Sequence, residues 1–242
     1  MPTALVTGGA RRIGRAIVED LARNGYAVAI HYHASHHDAE QLAGEITAAG
    51  GKAAIVGGDL GDLATLGGIV VGAAKALGPL TLLVNNASLF EKDAVGSLDP
   101  ELWQRQMAVN LAAPVFLAEA FAAQLPAGIE GNIVNLLDQR IWRPTPRYFS
   151  YQLTKSALYV ATETLALALA PRIRVNGIAP GPALPSAAQT EAAFHRLTDT
   201  VPLRRGPDLG EFGRTVRYFV DTKSITGQVI ALDGGQHLGT AT

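Results

Sequence analysis

Tyr151 and Lys155 stand four residues apart, a spacing that puts both side chains on one face of a helix. A buried ammonium beside a phenol favours the phenolate, and moving a phenol from about 10 to about 7 takes roughly 4 kcal/mol of differential stabilisation. Lys155 is the source of that stabilisation this sequence offers. The spacing alone is common on amphipathic helices. It gains meaning from a glycine-rich turn upstream and from Asn85-Asn86-Ala87 between the two.

That turn, Thr7-Gly8-Gly9-Ala10-Arg11-Arg12-Ile13-Gly14, follows an apolar run and opens an amphipathic one. Backbone N–H groups and the helix dipole at such a place attract a pyrophosphate. Gly8 allows a tight turn and Gly14 close helix–sheet packing, while Arg12 occupies the position of the usual middle glycine. A guanidinium there can hold a phosphate or stack on a flat ring; the alternative is a solvated arginine at a helix start. Dinucleotide sites that prefer NAD usually carry an acid about 20 residues on, for the ribose 2′-hydroxyl. Here the corresponding strand ends in His31-Tyr32-His33-Ala34-Ser35. With no carboxylate in that run and Arg11, His33 and Ser35 available as donors, NADP(H) is the expected cofactor. Asp59-Leu60, after the third strand, could flank an adenine, or Asp59 could be an ordinary helix cap.

Positioning these groups requires alternating strands and helices. Strands are predicted at Thr3–Thr7, Ala27–Tyr32, Lys52–Val56, Leu80–Val84, Asn132–Leu137, Arg172–Ile178 and Gln228–Leu232, with helix-length segments between them. Continuous apolar strands covered on both faces imply an α/β fold: one doubly wound, Rossmann-like domain over 1–242, seven parallel strands, ligands at the carboxyl ends of the strands. Gly25 and Gly50-Gly51 read as helix C-terminal caps, and Asp99-Pro100 as an N-cap followed by proline at the first helical position. Residues 182–207, within a stretch rich in Pro, Ala and Thr, read as a lid loop over the substrate.

Composition narrows the field further. Twenty Lys and Arg balance 21 Asp and Glu without long runs of one sign, so neither nucleic acid nor an anionic membrane is an expected partner. Cysteine is absent, which excludes thiolate nucleophiles, iron–sulfur clusters and cysteine-bound zinc; no metal site is expected. The sequence reads as having no secretory signal and no stretch of transmembrane length, so a cytoplasmic location is the default expectation.

The glycine turn, Asn85-Asn86-Ala87, Asn110, Tyr151 and Lys155, Asn176 and Pro180-Gly181, in that order, resemble the short-chain dehydrogenase/reductase family over nearly the whole chain. The resemblance implies that Tyr151 donates a proton, Lys155 lowers its pKa and binds the nicotinamide ribose, and Asn110 helps hold a water relay. It further implies that Asn86, Ala87, Pro180 and Gly181 flank the cofactor, and that the protein is a homotetramer built on the fourth and fifth helices and the last strand.

One departure stands out. Most of that family place a serine thirteen residues before the tyrosine; here the residue is Asp138. A carboxylate beside a carbonyl gaining negative charge opposes the transition state. An acid is useful if a cyclic C=N must gain a proton on nitrogen as hydride arrives at carbon, although Asp138 could instead merely cap its loop. Arg12, His31-Tyr32-His33, Ser88 and Phe90 depart in the same direction, toward pteridine reductases. In that subfamily the counterpart of Phe90 stacks on a pterin and the counterpart of Ser88 touches both cofactor and ligand; the alternative for Phe90 is ordinary core. Ala34 differs, since an arginine for the 2′-phosphate often stands there. The expected activity is therefore NADPH-dependent reduction of a dihydropterin or dihydrofolate, with Arg12, Ser88, Phe90, Asp138 and Tyr151 around the substrate. The rival readings are a carbonyl or 3-oxoacyl-carrier reductase and a non-catalytic dinucleotide-sensing scaffold.

Overall fold

The computed structural model describes residues 1–185 and 189–240. Its centre is one sheet of seven strands in the order β3-β2-β1-β4-β5-β6-β7: β1 Thr3–Val6, β2 Ala27–Tyr32, β3 Lys52–Gly57, β4 Leu82–Asn85, β5 Gly131–Leu136, β6 Ile173–Pro180 and β7 Val229–Leu232. Every pairing is parallel. All seven expected strands are present, with no end displaced by more than two residues.

Side chains alternate across a strand, so neighbours in sequence enter opposite layers. Ala4 and Val6 join Ile17, Leu21, Phe212 and Phe219 on one face, while Leu5 joins Leu83, Leu117 and Phe121 on the other. Helices α1 Arg12–Arg23, α2 His36–Ala48 and α8 Leu209–Asp221 contribute to the first layer, and α3 Leu66–Leu77 and α5 Ala113–Gln124 to the second. The helix that carries Tyr151 and Lys155, α6 Phe149–Leu169, also lies on the second face, where Ala166 joins the same core. The strand order reverses beside β1 and β4, which opens a crevice beyond Val6 and Asn85.

Gly25 and Gly50 take φ of +83° and +84° just past their helices, and Asp99 accepts from the Glu101 N–H at 2.9 Å to start α4 Pro100–Met107. Two expectations change. The 182–207 stretch is not simply a loop: Thr190 caps a further helix, α7 Glu191–Thr200, whose alanine-rich first turn is helix-compatible; part of the predicted lid, residues 186–188, lies outside the described residues. And Pro100–Gln124, continuous through a π-helical turn at Ala108–Ala112, is long and apolar enough by length and composition to cross a membrane. Its apolar content serves the core instead, with Ala113, Leu117, Ala118 and Phe121 packed on the sheet.

Candidate active site

The glycine turn is fixed by backbone chemistry. Gly8 has φ +59°, and its N–H donates to His31 Nδ1 at 3.2 Å, while the other ring nitrogen, Nε2, reaches the Gly58 carbonyl at 3.2 Å. Accepting at Nδ1 places the ring proton on Nε2. Burial pulls the His31 pKa down to about 4, so the ring is a neutral brace between the turn and the residue after β3. His31 was expected to touch cofactor; both its nitrogens are engaged with backbone. Asn86 donates to the carbonyls of Thr7 and Gly8 at 2.8 and 3.1 Å, and the Thr7 hydroxyl accepts from the Asn86 and Ala87 N–H groups. A Cβ on Gly14 would collide with the Gly8 carbonyl and the Asn86 amide, so glycine is obligatory there.

A cavity of about 360 Å³ lies over this turn, lined by Gly8, Ala10 to Gly14, His31 to Ser35 and Asn86 to Ser88. Its shape and its helix N-terminus fit a dinucleotide. At the far end His33 and Ser35 line the wall, but Arg11 is paired with the Asp38 carboxylate, its Nε donating at 2.7 Å. The acid missing from the end of β2 thus arrives from the first turn of α2, a long-range pairing that the strand-end pattern could not reveal. Asp59 and Leu60 are not among the lining residues: Asp59 accepts from the Gly61 N–H at 2.8 Å and Leu60 is buried in the core. Asp62, rather than Asp59, caps the helical turn that follows.

Arg12 joins this cavity to a second one of about 460 Å³; both are lined by Arg12, Ile13, Asn86 and Ser88. The residue has φ +54°, the left-handed region that explains why glycine usually stands here, and its guanidinium donates to the Pro185 carbonyl at 2.9 Å. The side chain is exposed and held by that hydrogen bond.

In the second cavity the Tyr151 hydroxyl donates to Asp138 Oδ2 at 3.0 Å. Asp138 also caps its loop: Oδ1 accepts from the Arg140 N–H at 2.8 Å, and Oδ2 from the Arg140 guanidinium at 2.9 Å. Asp138 therefore caps its loop and faces the Tyr151 hydroxyl at the same time. Lys155 is buried, donates to the Leu136 carbonyl at 2.6 Å and lies 5.8 Å from the centre of the Tyr151 ring. Burial lowers its pKa to about 8, against the Asp138 charge, which raises it. Burial first, and then the Asp138 charge and hydrogen bond, push the Tyr151 phenol well above its ordinary value, with Arg140 and Ser88 opposing. The expectation that Lys155 brings the phenol down is not met: a carboxylate bonds the phenol directly, and the ammonium is engaged with a carbonyl.

The rest of the wall is aromatic. Phe90 stacks on Tyr148 with ring centres 4.2 Å apart and planes within 7°, and meets the Tyr151 ring edge-on at 4.7 Å. Arg140 sits 5.4 Å from the centres of both stacked rings. Phe90 is 38% exposed, which rules out the core alternative. Asn110, in the π-helical turn, accepts from Ser88 Oγ at 3.1 Å and the Leu89 N–H at 2.7 Å and donates to the Leu89 carbonyl at 2.9 Å, bracing the segment that carries Phe90. Pro180 and Gly181 line the cavity floor, where the Gly181 N–H donates to the Leu232 carbonyl at 2.8 Å. Asn176 works further away, tying β6 to the residues before β7 through Ile225 and Gln228. Arg140 and Tyr148 were not anticipated. No periodicity or motif marks them; only the folded contact does.

The chain belongs to the short chain dehydrogenase family, whose model matches residues 2–195. Among solved structures, it is similar to FolM alternative dihydrofolate reductase 1 from Brucella canis in complex with NADP, with 55% identity, a TM-score of 0.97, and coverage of 100% of this chain and 96% of that one. Among curated proteins it is 34% identical to pteridine reductase 1 of Leishmania tarentolae, covering 99% of this chain and 98% of that protein. It is also 30% identical to the 3-oxoacyl-[acyl-carrier-protein] reductase FabG of Staphylococcus aureus, over 98% of both.

Proposed function

We propose that this chain is an NADPH-dependent reductase of pteridines, acting on a dihydropterin or dihydrofolate. The observation that carries the reading is the Tyr151–Asp138 hydrogen bond of 3.0 Å inside a cavity walled by Phe90. The NADP-bound FolM and the pteridine reductase among its relatives support it. Gly8 to Gly14, His33, Ser35, Asn86 and Lys155 would hold the cofactor, which when bound supplies hydride to the carbon of a C=N bond.

The protein's own part is binding and proton delivery. Phe90 and Tyr148 offer flat faces for a heterocycle. Asp138 fixes the direction of the Tyr151 O–H, and that O–H passes its proton to the ring nitrogen that becomes electron-rich as hydride arrives. Such a nitrogen is a far stronger base than a phenolate, so a phenol with a raised pKa still yields its proton to it. The Tyr151–Asp138 pair is then one proton short, and the Arg140 and Lys155 cations stabilise it until solvent restores the proton.

Asp138→Ser tests this. Pteridine turnover should fall by roughly 10²-fold, at the lower end of proton-transfer contributions; undiminished turnover would refute the assignment. One observation favours a second reading, a carbonyl or 3-oxoacyl-carrier reductase: the Arg140 guanidinium neutralises the Asp138 charge that would otherwise oppose a developing alkoxide. A ketone panel assayed beside dihydrobiopterin decides between them, and complete inactivity despite tight NADPH binding would point to a sensing scaffold. The proposal includes a single domain with 182–207 as its substrate lid, a cytoplasmic location and a homotetramer. For the last, exposed Phe116 on α5 and Val160 and Leu167 on α6 give support.

A further inference from the structure

The cavity holding Tyr151 is far more cationic than the chain that builds it. The sequence as a whole carries a net charge of −1, yet Arg12, Lys92, Arg140, Arg147 and Lys155 all line this cavity, and among its described lining residues the only carboxylate is Asp138. Three of the cations have partners: Arg140 pairs with Asp138, Lys155 donates to Leu136, and Arg12 donates to Pro185. Lys92 and Arg147 are exposed, and among the described residues their side chains make neither an ion pair nor a hydrogen bond.

The fold brings these two together. Lys92 follows Phe90 by two positions and Arg147 precedes Tyr148, and Phe90 and Tyr148 stack at 4.2 Å. The same two segments are cross-linked behind the stack, where the Phe149 N–H donates to the Asp93 carbonyl at 3.3 Å and the Ser150 N–H to the Asp93 carboxylate at 3.1 Å. Both cations therefore sit on the solvent side of the aromatic wall, while Tyr151 and Asp138 are buried at its inner end. Two unpaired like charges on one rim are repulsive unless an anion comes between them. The cofactor's phosphates are not that anion, because neither residue lines the dinucleotide cavity.

Resting on the pteridine reading above, we propose that Lys92 and Arg147 form a subsite for an anionic substrate tail. A ring buried against Tyr151 and Phe90 would direct its substituent outward past the aromatic wall, toward the two cations. The enzyme then favours pteridines whose side chain ends in a carboxylate or phosphate over those with a neutral side chain.

The test is steady-state kinetics with NADPH on dihydrofolate, which carries carboxylates, on a dihydropterin monophosphate, and on dihydrobiopterin, whose side chain is neutral. The wild type is compared with Lys92→Gln/Arg147→Gln, two exposed substitutions. Two solvent-exposed charge contacts together are worth about tenfold, so the preference for an anionic over a neutral substrate should fall about tenfold in the variant, through KM rather than kcat. In roughly 1 M salt, where screening acts within about 3 Å, the wild type should lose most of the same preference. Whichever anionic substrate loses more identifies the tail as carboxylate or phosphate. An unchanged preference, or an equal rise in KM for all three, overturns the subsite and leaves the pteridine assignment standing. Failure of the wild type to turn over any of the three overturns both.

Discussion

The two cavities that meet at Arg12 are built in opposite ways. The cradle over Gly8 to Gly14 is held by backbone groups and by the side chains that bond them: Gly8 to His31, Asn86 to Thr7 and Gly8, and Gly14 with no room for a Cβ. The cavity beyond it is held by side chains on side chains: Tyr151 on Asp138, Asp138 on Arg140, Arg140 over Phe90 and Tyr148. The first is dictated by sterics, and substitution there damages the turn itself. The second is an arrangement of charge and aromatic surface that can be altered one residue at a time on an unchanged sheet. Under the proposed function, phosphate recognition and substrate choice would thereby fall to different cavities of one small domain.

Four substitutions sharpen or break that contrast. Tyr151→Phe should lower kcat by 10²–10⁴-fold while leaving NADPH affinity nearly unchanged, as expected for loss of a general acid; a fluorescence titration beside the kinetics separates the two, and a variant retaining a tenth of the activity would remove Tyr151 from the donor role. His31 tests the cradle through stability. In the fold it stays neutral down to about 4, whereas its ordinary value is 6.5. Between those pH values the unfolded chain binds a proton that the fold refuses. Stability should therefore be complete above 6.5 and fall by about 3 kcal/mol as the pH drops to 4. Urea melts of His31→Asn over that range should show a shallower decline than wild type; parallel curves would mean the ring is not the acid-sensitive brace.

Phe90→Leu keeps bulk and loses the stacking face. KM for a pteridine should rise roughly 3- to 10-fold, the scale of one aromatic pair, with kcat little changed; no change in KM would take the ring out of substrate binding. Arg12→Gly is the mildest. Relief of the left-handed backbone offsets the entropy glycine adds to the unfolded chain, so stability should change by less than about 1 kcal/mol. A larger loss in calorimetry would make the Arg12–Pro185 contact a structural tie rather than a ligand-facing one.

What could be read before folding follows the same division. Strand runs, the Asp99-Pro100 start and the Gly14 requirement are local or periodic, and each appears within a few residues of where the sequence places it. Asp138 announced itself as a departure from a familiar pattern, and its side chain does face Tyr151. Arg140 and Tyr148 left no such mark, because their importance depends on Phe90, which reaches them from a distant loop. The direction of the Tyr151 pKa was misread for a similar reason. Spacing shows that a lysine is near, but not that its ammonium is engaged with the Leu136 carbonyl while a carboxylate bonds the phenol. Arg11 was expected to be a free phosphate donor until α2 brought Asp38 to it. Helix α7 stayed hidden in a stretch whose prolines outweighed its short alanine-rich first turn.

The wide turn at Ala108–Ala112 acts as a one-residue phase shift within a single rod. An inserted residue rotates everything after it by about 100° relative to a regular helix. Up to and within that step the rod offers amides inward, from Gln106 and Asn110; downstream it offers Leu117 and Phe121 to the sheet. Deleting one residue there would restore a regular pitch and leave one half facing wrongly: either Phe121 swings off the sheet or Asn110 lets go of Leu89. The apolar layer and the polar pocket are thus set in register by one oversized turn.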